Sequence, residues 1–226
     1  KLIYKLEKEI KKNNGNIHFE HKVKKIITKD NSVESVDIID NKSSKKNVKY
    51  DIVISTAPYQ VLDKLIDLDQ NIKSSMNKVE YMSAIVMILT LNNSLSEYYW
   101  LSIAENNFPF LGIIEHTNLI PKEKYADNNI LYITNYVEND NKLLKYSYEE
   151  LIDIYTPYLK KINNKFDKDW ILGHKFNKIN YAQPIIPVNY SKIIIPLKLS
   201  IKGLYSGNTA QIYPEDRGTN YAVDLG

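Results

Sequence analysis

The chain has 226 residues, with 30 Lys or Arg against 27 Asp or Glu, no cysteine and 43% hydrophobic side chains. A chain of this length buries roughly 70–75% of its unfolded surface, so its core needs no disulfide or metal staple. Without cysteine, a disulfide framework, thiolate-ligated zinc, iron–sulfur clusters and thiol nucleophiles are all excluded.

The net charge of +3 is carried almost wholly by lysine, Arg217 being the one arginine. Lysines alternate with acids along most of the chain, with neither a basic stripe nor forked arginines, which speaks against a nucleic-acid partner. No apolar run approaches the ~20 residues a bilayer requires, and no signal-peptide pattern is present. The sequence therefore predicts a cytoplasmic protein without a transmembrane segment, of undefined oligomeric state. It opens on Lys1-Leu2-Ile3 without an initiator Met and closes on Gly226 just past a helix start, so it reads as an internal piece of a longer protein.

Leu2, Ile3, Leu6 and Ile10 keep helical spacing, and Asn13-Asn14-Gly15 predicts a left-handed stop. A strand is expected over 17–20, continuing through Val23 to Ile26-Ile27, and a second over 33–39. A polar loop over 40–47 leads to an apolar strand at 50–55, ended by Pro58, which suits the first turn of a helix over 59–68. From about Tyr81 the texture is β-rich. Strands over 84–91, 98–104, 110–116 and 129–137, joined by polar loops, predict a mostly antiparallel sheet. Ser147 with Glu150 three residues on predicts a capping box for a helix over 147–162, with Pro157 inside it as a kink or boundary. A strand over 170–179, a Pro-rich irregular loop over 182–196, a strand running 203–207 and a helix introduced by 217–219 complete the order.

Dinucleotide, phosphate-loop, zincin and nucleophile-elbow motifs are all absent. The four histidines, His18, His21, His116 and His174, show no metal-ligand spacing. His18 and His21, three apart on an expected strand, should point to opposite faces. No metal is predicted, and no general base or other catalytic residue can be singled out. The one dense constellation runs from Gly203 to Gly226, glycine-rich and holding Arg217. At Gly207 the missing side chain would let a ligand approach the backbone, and Gly218-Thr219 would open a helix whose N–H groups favour electron-rich oxygens. The same residues also suit an ordinary loop and cap, with Arg217 in a salt bridge to Glu215, Asp216 or another acid.

The order of elements resembles the FAD-dependent amine oxidase, protoporphyrinogen oxidase and phytoene desaturase superfamily. The likeness lies in the 203–226 segment and in the series of an initial helix, Gly15-Asn16-Ile17, Val23 to Ile26, a hairpin, and Tyr50-Asp51-x-Val53-Ile54-x-Thr56-x-Pro58. It implies an α/β chain, α+β overall: part of a FAD-binding Rossmann-like domain, in a middle segment over 1–79 and a C-terminal segment over 200–226, plus an antiparallel-sheet substrate-binding domain flanked by helices over 80–199. The family's N-terminal glycine-rich unit is missing, so these residues alone should hold FAD weakly and be inactive. By position, the resemblance implies that Val23 lies against the adenine, and Gly207 and Asn208 beside the pyrophosphate and ribitol. Arg217, Gly218, Thr219 and Asn220 would line the flavin's pyrimidine edge. Tyr181, Gln183, Tyr190 and Tyr213 flank the Pro-rich loop and are candidates for a small-molecule substrate pocket. The implied activity is an FAD-dependent oxidoreductase of the amine oxidase kind, moving a hydride from an organic substrate to flavin N5. A flavin-dependent sugar-nucleotide mutase and a non-catalytic binding module remain alternatives.

Overall fold

The computed structural model describes residues 2–226; Lys1, where the helix pattern opens, lies outside the described residues. The elements are mixed α and β, and they fall into two compact units: residues up to Lys78 together with Pro187–Gly226, and Val79–Ile186.

The first unit begins with helix α1 (Leu2–Lys12), which buries none of its residues. Asn14 takes the left-handed conformation that stops it, and the Gly15 N–H donates to the Ile10 carbonyl at 2.8 Å. Strands β1 (Lys22–Lys29), β2 (Ser32–Ile39) and β3 (Lys45–Lys49) form an antiparallel sheet in that order. The expected strand over 17–20 is not formed. Glu20 is left-handed and the chain turns there, with a ring nitrogen of His21 at 2.6 Å from the Phe19 carbonyl. His18 and His21 accordingly do not point to opposite faces; their rings lie 5.2 Å apart. The polar loop expected over 40–47 is a tight turn followed by β3. Asp40 closes it by accepting from the Lys42 and Ser44 backbone N–H groups, and the lysine-rich β3 carries no apolar pattern to announce it.

The strand expected over 50–55 shortens to β4 (Val53–Ser55), and helix α2 (Tyr59–Leu65) follows from Pro58. It stops short of Leu68, and a second helix, α3 (Gln70–Asn77), starts from Asp69, whose carboxylate accepts from the Ile72 N–H. Strand β10 (Leu204–Ser206) returns to pair in parallel with β4, and helix α5 (Thr219–Leu225) follows. Gly203, at φ 82°, is required here: the Asp51 carbonyl lies so close that a side chain would collide with it.

The second unit is one antiparallel sheet with a helix on one face. Its strands are β5 (Glu80–Leu91), β6 (Trp100–Ser102), β7 (Gly112–Glu115), β8 (Asn129–Val137) and β9 (Ile171–Ile185), ordered β6-β7-β8-β5-β9. Helix α4 (Tyr148–Ile162) has both hydrogen bonds of the Ser147–Glu150 capping box and runs unbroken through Pro157. Its Leu151, Ile152, Tyr155 and Leu159 bury themselves against Ile85, Met87, Leu89 and Leu131 of the sheet. Part of the loop expected over 182–196 is strand: β9 continues to Ile185 beyond a bulge opposite Ser83, where Tyr181 is left-handed. Among the described residues no helix is long and apolar enough to cross a membrane, and no group of three or more His, Asp or Glu could hold a metal.

Candidate functional site

In the first unit two short parallel strands end side by side. The pairs Val53–Leu204, Ile54–Tyr205 and Ser55–Ser206 set the register, and the Gly207 N–H donates to the Ser55 carbonyl at 2.9 Å. Thr56-Ala57-Pro58 therefore leave β4 beside Gly207-Asn208 leaving β10. Ligands of open α/β sheets sit outside the carboxyl ends of such strands. A Cβ added at Gly207 would meet no atom within 4 Å, so the protein's own packing does not demand glycine there. What the bare backbone offers is close approach from outside.

Val23 joins this region from the antiparallel sheet. It lines a cavity of about 600 Å³ with His21, Ile26, Val36 and Ile38 from the hairpin and Ile54, Ser55, Thr56 and Ala57 from the end of β4. The walls are mostly aliphatic, suited to a flat, weakly polar ring system. The sequence pattern singles out Val23 and Gly207 separately. It misses Ser55 and Ala57 as neighbours of either, because a parallel pairing across about 150 residues leaves no local signal.

Asn208 is buried and engaged. Its Oδ1 accepts from the Ala210 N–H at 2.9 Å and its backbone N–H donates to Gln211 Oε1 at 3.1 Å, so it caps the turn at Thr209–Gln211. Arg217, half-buried, has its backbone N–H on Asp216 Oδ1. Gly218 is the N-cap of α5, with no side-chain cap bond, and Asn220 Oδ1 lies over it. Thr219 and Asn220 are exposed on the first turn of that seven-residue helix. A cavity of about 270 Å³ separates the helix from the preceding loop, lined by Gln211, Tyr213 and Tyr221 among others.

The four pocket tyrosine and glutamine candidates divide between the units. Tyr190 and Tyr213 stand edge to face at 5.5 Å in the first unit. Tyr190 is wholly buried, its hydroxyl donating to the Ala210 carbonyl at 2.6 Å, and burial pushes its pKa up. It braces the Asn208 turn, while Tyr213 is 41% exposed. Tyr181 and Gln183 lie on β9 of the second unit, Tyr181 edge-on to Tyr81 at 5.9 Å and Gln183 paired with Met82.

The second unit also holds a buried titratable group. Glu115, the last residue of β7, is completely buried, accepting from Ser94 Oγ and the Leu95 N–H, both at 3.3 Å. Burial pushes its carboxyl up to about 7. An acid ending the apolar run Gly112-Ile-Ile-Glu115 was the available signal.

Over residues 1–207 the chain matches the family described as flavin containing amine oxidoreductase. No curated protein sequence matches it. Among solved structures it is similar to an oxidoreductase from Methanosarcina mazei, at 19% identity and a TM-score of 0.69, over 98% of this chain and 51% of that one. It is also similar to an Exiguobacterium protein provisionally named a protoporphyrinogen oxidase, at 14% identity and TM-score 0.70, over 97% and 49% of the two chains. A reduced UDP-galactopyranose mutase follows at 15% identity and TM-score 0.65, over 93% and 46%. The chain spans about half the length of these relatives.

Proposed function

Because the chain belongs to the flavin-containing amine oxidoreductases, a family whose cofactor is FAD, we propose that it supplies the middle and C-terminal parts of the cofactor site of an FAD-dependent oxidoreductase. The observation that carries this reading is the parallel pairing of β4 with β10, which sets the bare Gly207 backbone beside Ser55 at two strand ends. In this reading Gly207 and Asn208 face the pyrophosphate and ribitol, and Val23 with Ile54 and Ala57 encloses the adenine in the 600 Å³ aliphatic cavity. Arg217, Gly218, Thr219 and Asn220 take the flavin's pyrimidine edge. The residues fit the group: the cavity is mostly aliphatic, and the glycine leaves backbone open where a phosphate must come close.

Bound FAD would supply the redox chemistry, taking a hydride at N5 from a C–N or C–C centre of a small-molecule substrate. This chain's part is to hold and orient. Arg217 and the Thr219 and Asn220 amides would stabilise negative charge at the pyrimidine edge, and the aliphatic walls around Val23 would keep water from the adenine. The unit Val79–Ile186 would present the substrate, with Tyr181 and Gln183 as its contribution, while the buried Tyr190 braces the Asn208 turn. A redox-neutral mutase on this scaffold would need to grip a sugar diphosphate, and the segment over 80–199 contains no arginine with which to fork it. That favours net oxidation.

The test is the visible spectrum of the full-length protein after gel filtration, alone and as Gly207→Val. The wild type should carry stoichiometric flavin. The variant should stay folded, since nothing lies within 4 Å of the added Cβ, yet emerge colourless. A folded Gly207→Val protein with undiminished flavin would refute the placement, and a wild type that stays colourless with added FAD would refute the function.

A further inference from the structure

The β1–β2–β3 sheet and its turns carry an excess of positive charge. Residues 18–49 contain eight lysines against five acids, a net +3. The excess gathers further at one end of the β1–β2–β3 sheet. There Lys22, Ile39 and Lys45 sit in one cross-strand row, and Ile38 pairs with Lys46 in the next. Lys24, at the bulge in β1, lines a concavity with Lys45 and Lys46. Lys42 projects from the Asp40–Ser44 turn at the same end, and all five of these lysines are exposed.

The three acids of this end are each engaged locally. Glu20 accepts from Asn41 Nδ2 at 2.6 Å, Asp37 from Asn47 Nδ2 at 2.7 Å, and Asp40 from the two backbone N–H groups of its turn, with Lys46 at 4.0 Å. The Glu20–Asn41 bond ties the turn before β1 to the turn between β2 and β3. Phe19 precedes Glu20 in that first turn and is 76% exposed. Phe19 is thus a large exposed apolar side chain in a turn tied to the lysine-bearing end of the sheet.

We propose that this end of the β1–β3 sheet docks on an anionic lipid surface, with Lys22, Lys24, Lys42, Lys45 and Lys46 facing headgroup phosphates and Phe19 inserted at the interface. Lysine chemistry selects this partner over an acidic protein. Protein interfaces are depleted in lysine and enriched in arginine and large aromatics, and this surface has no arginine at all. Membrane phosphates are mobile and diffuse, need no forked geometry, and attract lysines additively. A single phenylalanine adds apolar contact without committing the protein to the bilayer, so attachment is reversible and salt-dependent.

The experiment is co-sedimentation of the full-length protein with vesicles of phosphatidylcholine alone and of phosphatidylcholine mixed with phosphatidylglycerol, at low and at physiological salt. Binding is expected only to the anionic vesicles and is expected to weaken with salt. Replacing Lys45 and Lys46 by Glu should lower the partition coefficient by at least about fivefold per lysine. Phe19→Ser should lower it about tenfold, near the transfer free energy of one exposed aromatic side chain. Lys160→Glu with Lys161→Glu, on α4 of the other unit, should change nothing. All the substituted residues are surface-exposed or half-exposed, and unaltered circular dichroism and melting would certify the variants' folding. Equal binding to neutral vesicles, retention of full binding by the Lys45/Lys46 variant, or equal weakening by the α4 pair would each overturn the proposal. So would tighter binding to an acidic protein or duplex DNA than to the vesicles.

Discussion

In the unit Val79–Ile186, α4 sinks Leu151, Ile152, Tyr155 and Leu159 into one face of a five-stranded sheet, and none of the four is more than 5% exposed. In the other unit α1 buries no residue, α5 buries none, and Ile54 on β4 is 67% exposed. The first arrangement comes from one continuous stretch of chain with long strands and a fifteen-residue helix, enough to close a core by itself. The second is assembled from two stretches distant in sequence, whose strands are three residues long where they pair. What that unit gains is alignment: two strand ends, a bare glycine and an aliphatic cavity in register. Stability is therefore expected to concentrate in the continuous unit, and the proposed cofactor contacts fall in the divided one.

The sharpest way to break this comparison is to cut side chains from each part. Leu159→Ala removes a side chain with no exposure from the α4–sheet core and should cost ~2–5 kcal/mol, read as a lower urea midpoint. Ile3→Ala removes one that is 81% exposed and should fall within about 0.5 kcal/mol of zero in this chain. Similar costs for the two would show that the stability contrast is absent.

Acid should separate the units in opposite senses. Burial raises Glu115 to about 7 from an ordinary 4.5. Between those values the folded protein holds a proton that the unfolded chain releases, so this group's contribution falls as pH rises from about 4.5 to 7 and is level above. The loss is at most about 3 kcal/mol. Glu115→Gln should therefore raise the melting temperature at pH 8 and leave it nearly unchanged at pH 5. Asp69 runs the other way. The Ser200 hydroxyl, at 2.6 Å, and the Ile72 N–H hold its carboxyl below the usual range. Its contribution is present above that range and is lost as pH falls through it, so Asp69→Asn should blunt the acid limb. Identical pH profiles for wild type and Glu115→Gln would remove Glu115 as a titrating group.

The features legible in the sequence are the ones whose physics is local. Ser147 and Glu150 satisfy each other's backbone across three residues, so the start of α4 could be read directly. Asn14 and Gly15 likewise announce the end of α1. Strand β3 could not be read this way, because Lys45-Lys-Asn-Val-Lys49 is an edge strand with only Val48 half-buried, and its place depends on pairing with β2. Helix α3 is hard to read in Gln70–Asn77 because only Ile72 and Met76 of its eight residues are apolar; Asp69 as a cap was the available clue. At the candidate site Gly207 stood out, since glycine after an apolar strand is a local signal. The grouping of Val23 with Ile54 and Ala57 depends on three elements meeting, and no spacing along the chain encodes it. Glu115 needed both the alternation of β7 and the loop that folds over it.

The smallest expected effect is also the most discriminating, because the same device occurs once in each unit. Ser147 and Glu150 form a capping box at the head of α4, and Asn208 and Gln211 form one at the head of the three-residue turn Thr209–Gln211. Each cap satisfies backbone N–H groups that would otherwise lack a partner, so Ser147→Ala and Asn208→Ala should each cost ~1 kcal/mol. The two losses should differ in consequence. Ser147 stabilises a helix whose job is to fill a core, and its variant should bind flavin as the wild type does. Asn208 holds the chain immediately after Gly207, and its turn is braced from behind by the Tyr190 hydroxyl on the Ala210 carbonyl. Loosening that turn moves backbone that the proposed pyrophosphate contact depends on, so Asn208→Ala should weaken FAD binding in the full-length protein by several-fold, read by flavin fluorescence titration. Equal flavin affinity in the two variants would mean that the Asn208 cap serves the fold alone, and the cofactor contact would then rest on Gly207 and its neighbours on β4.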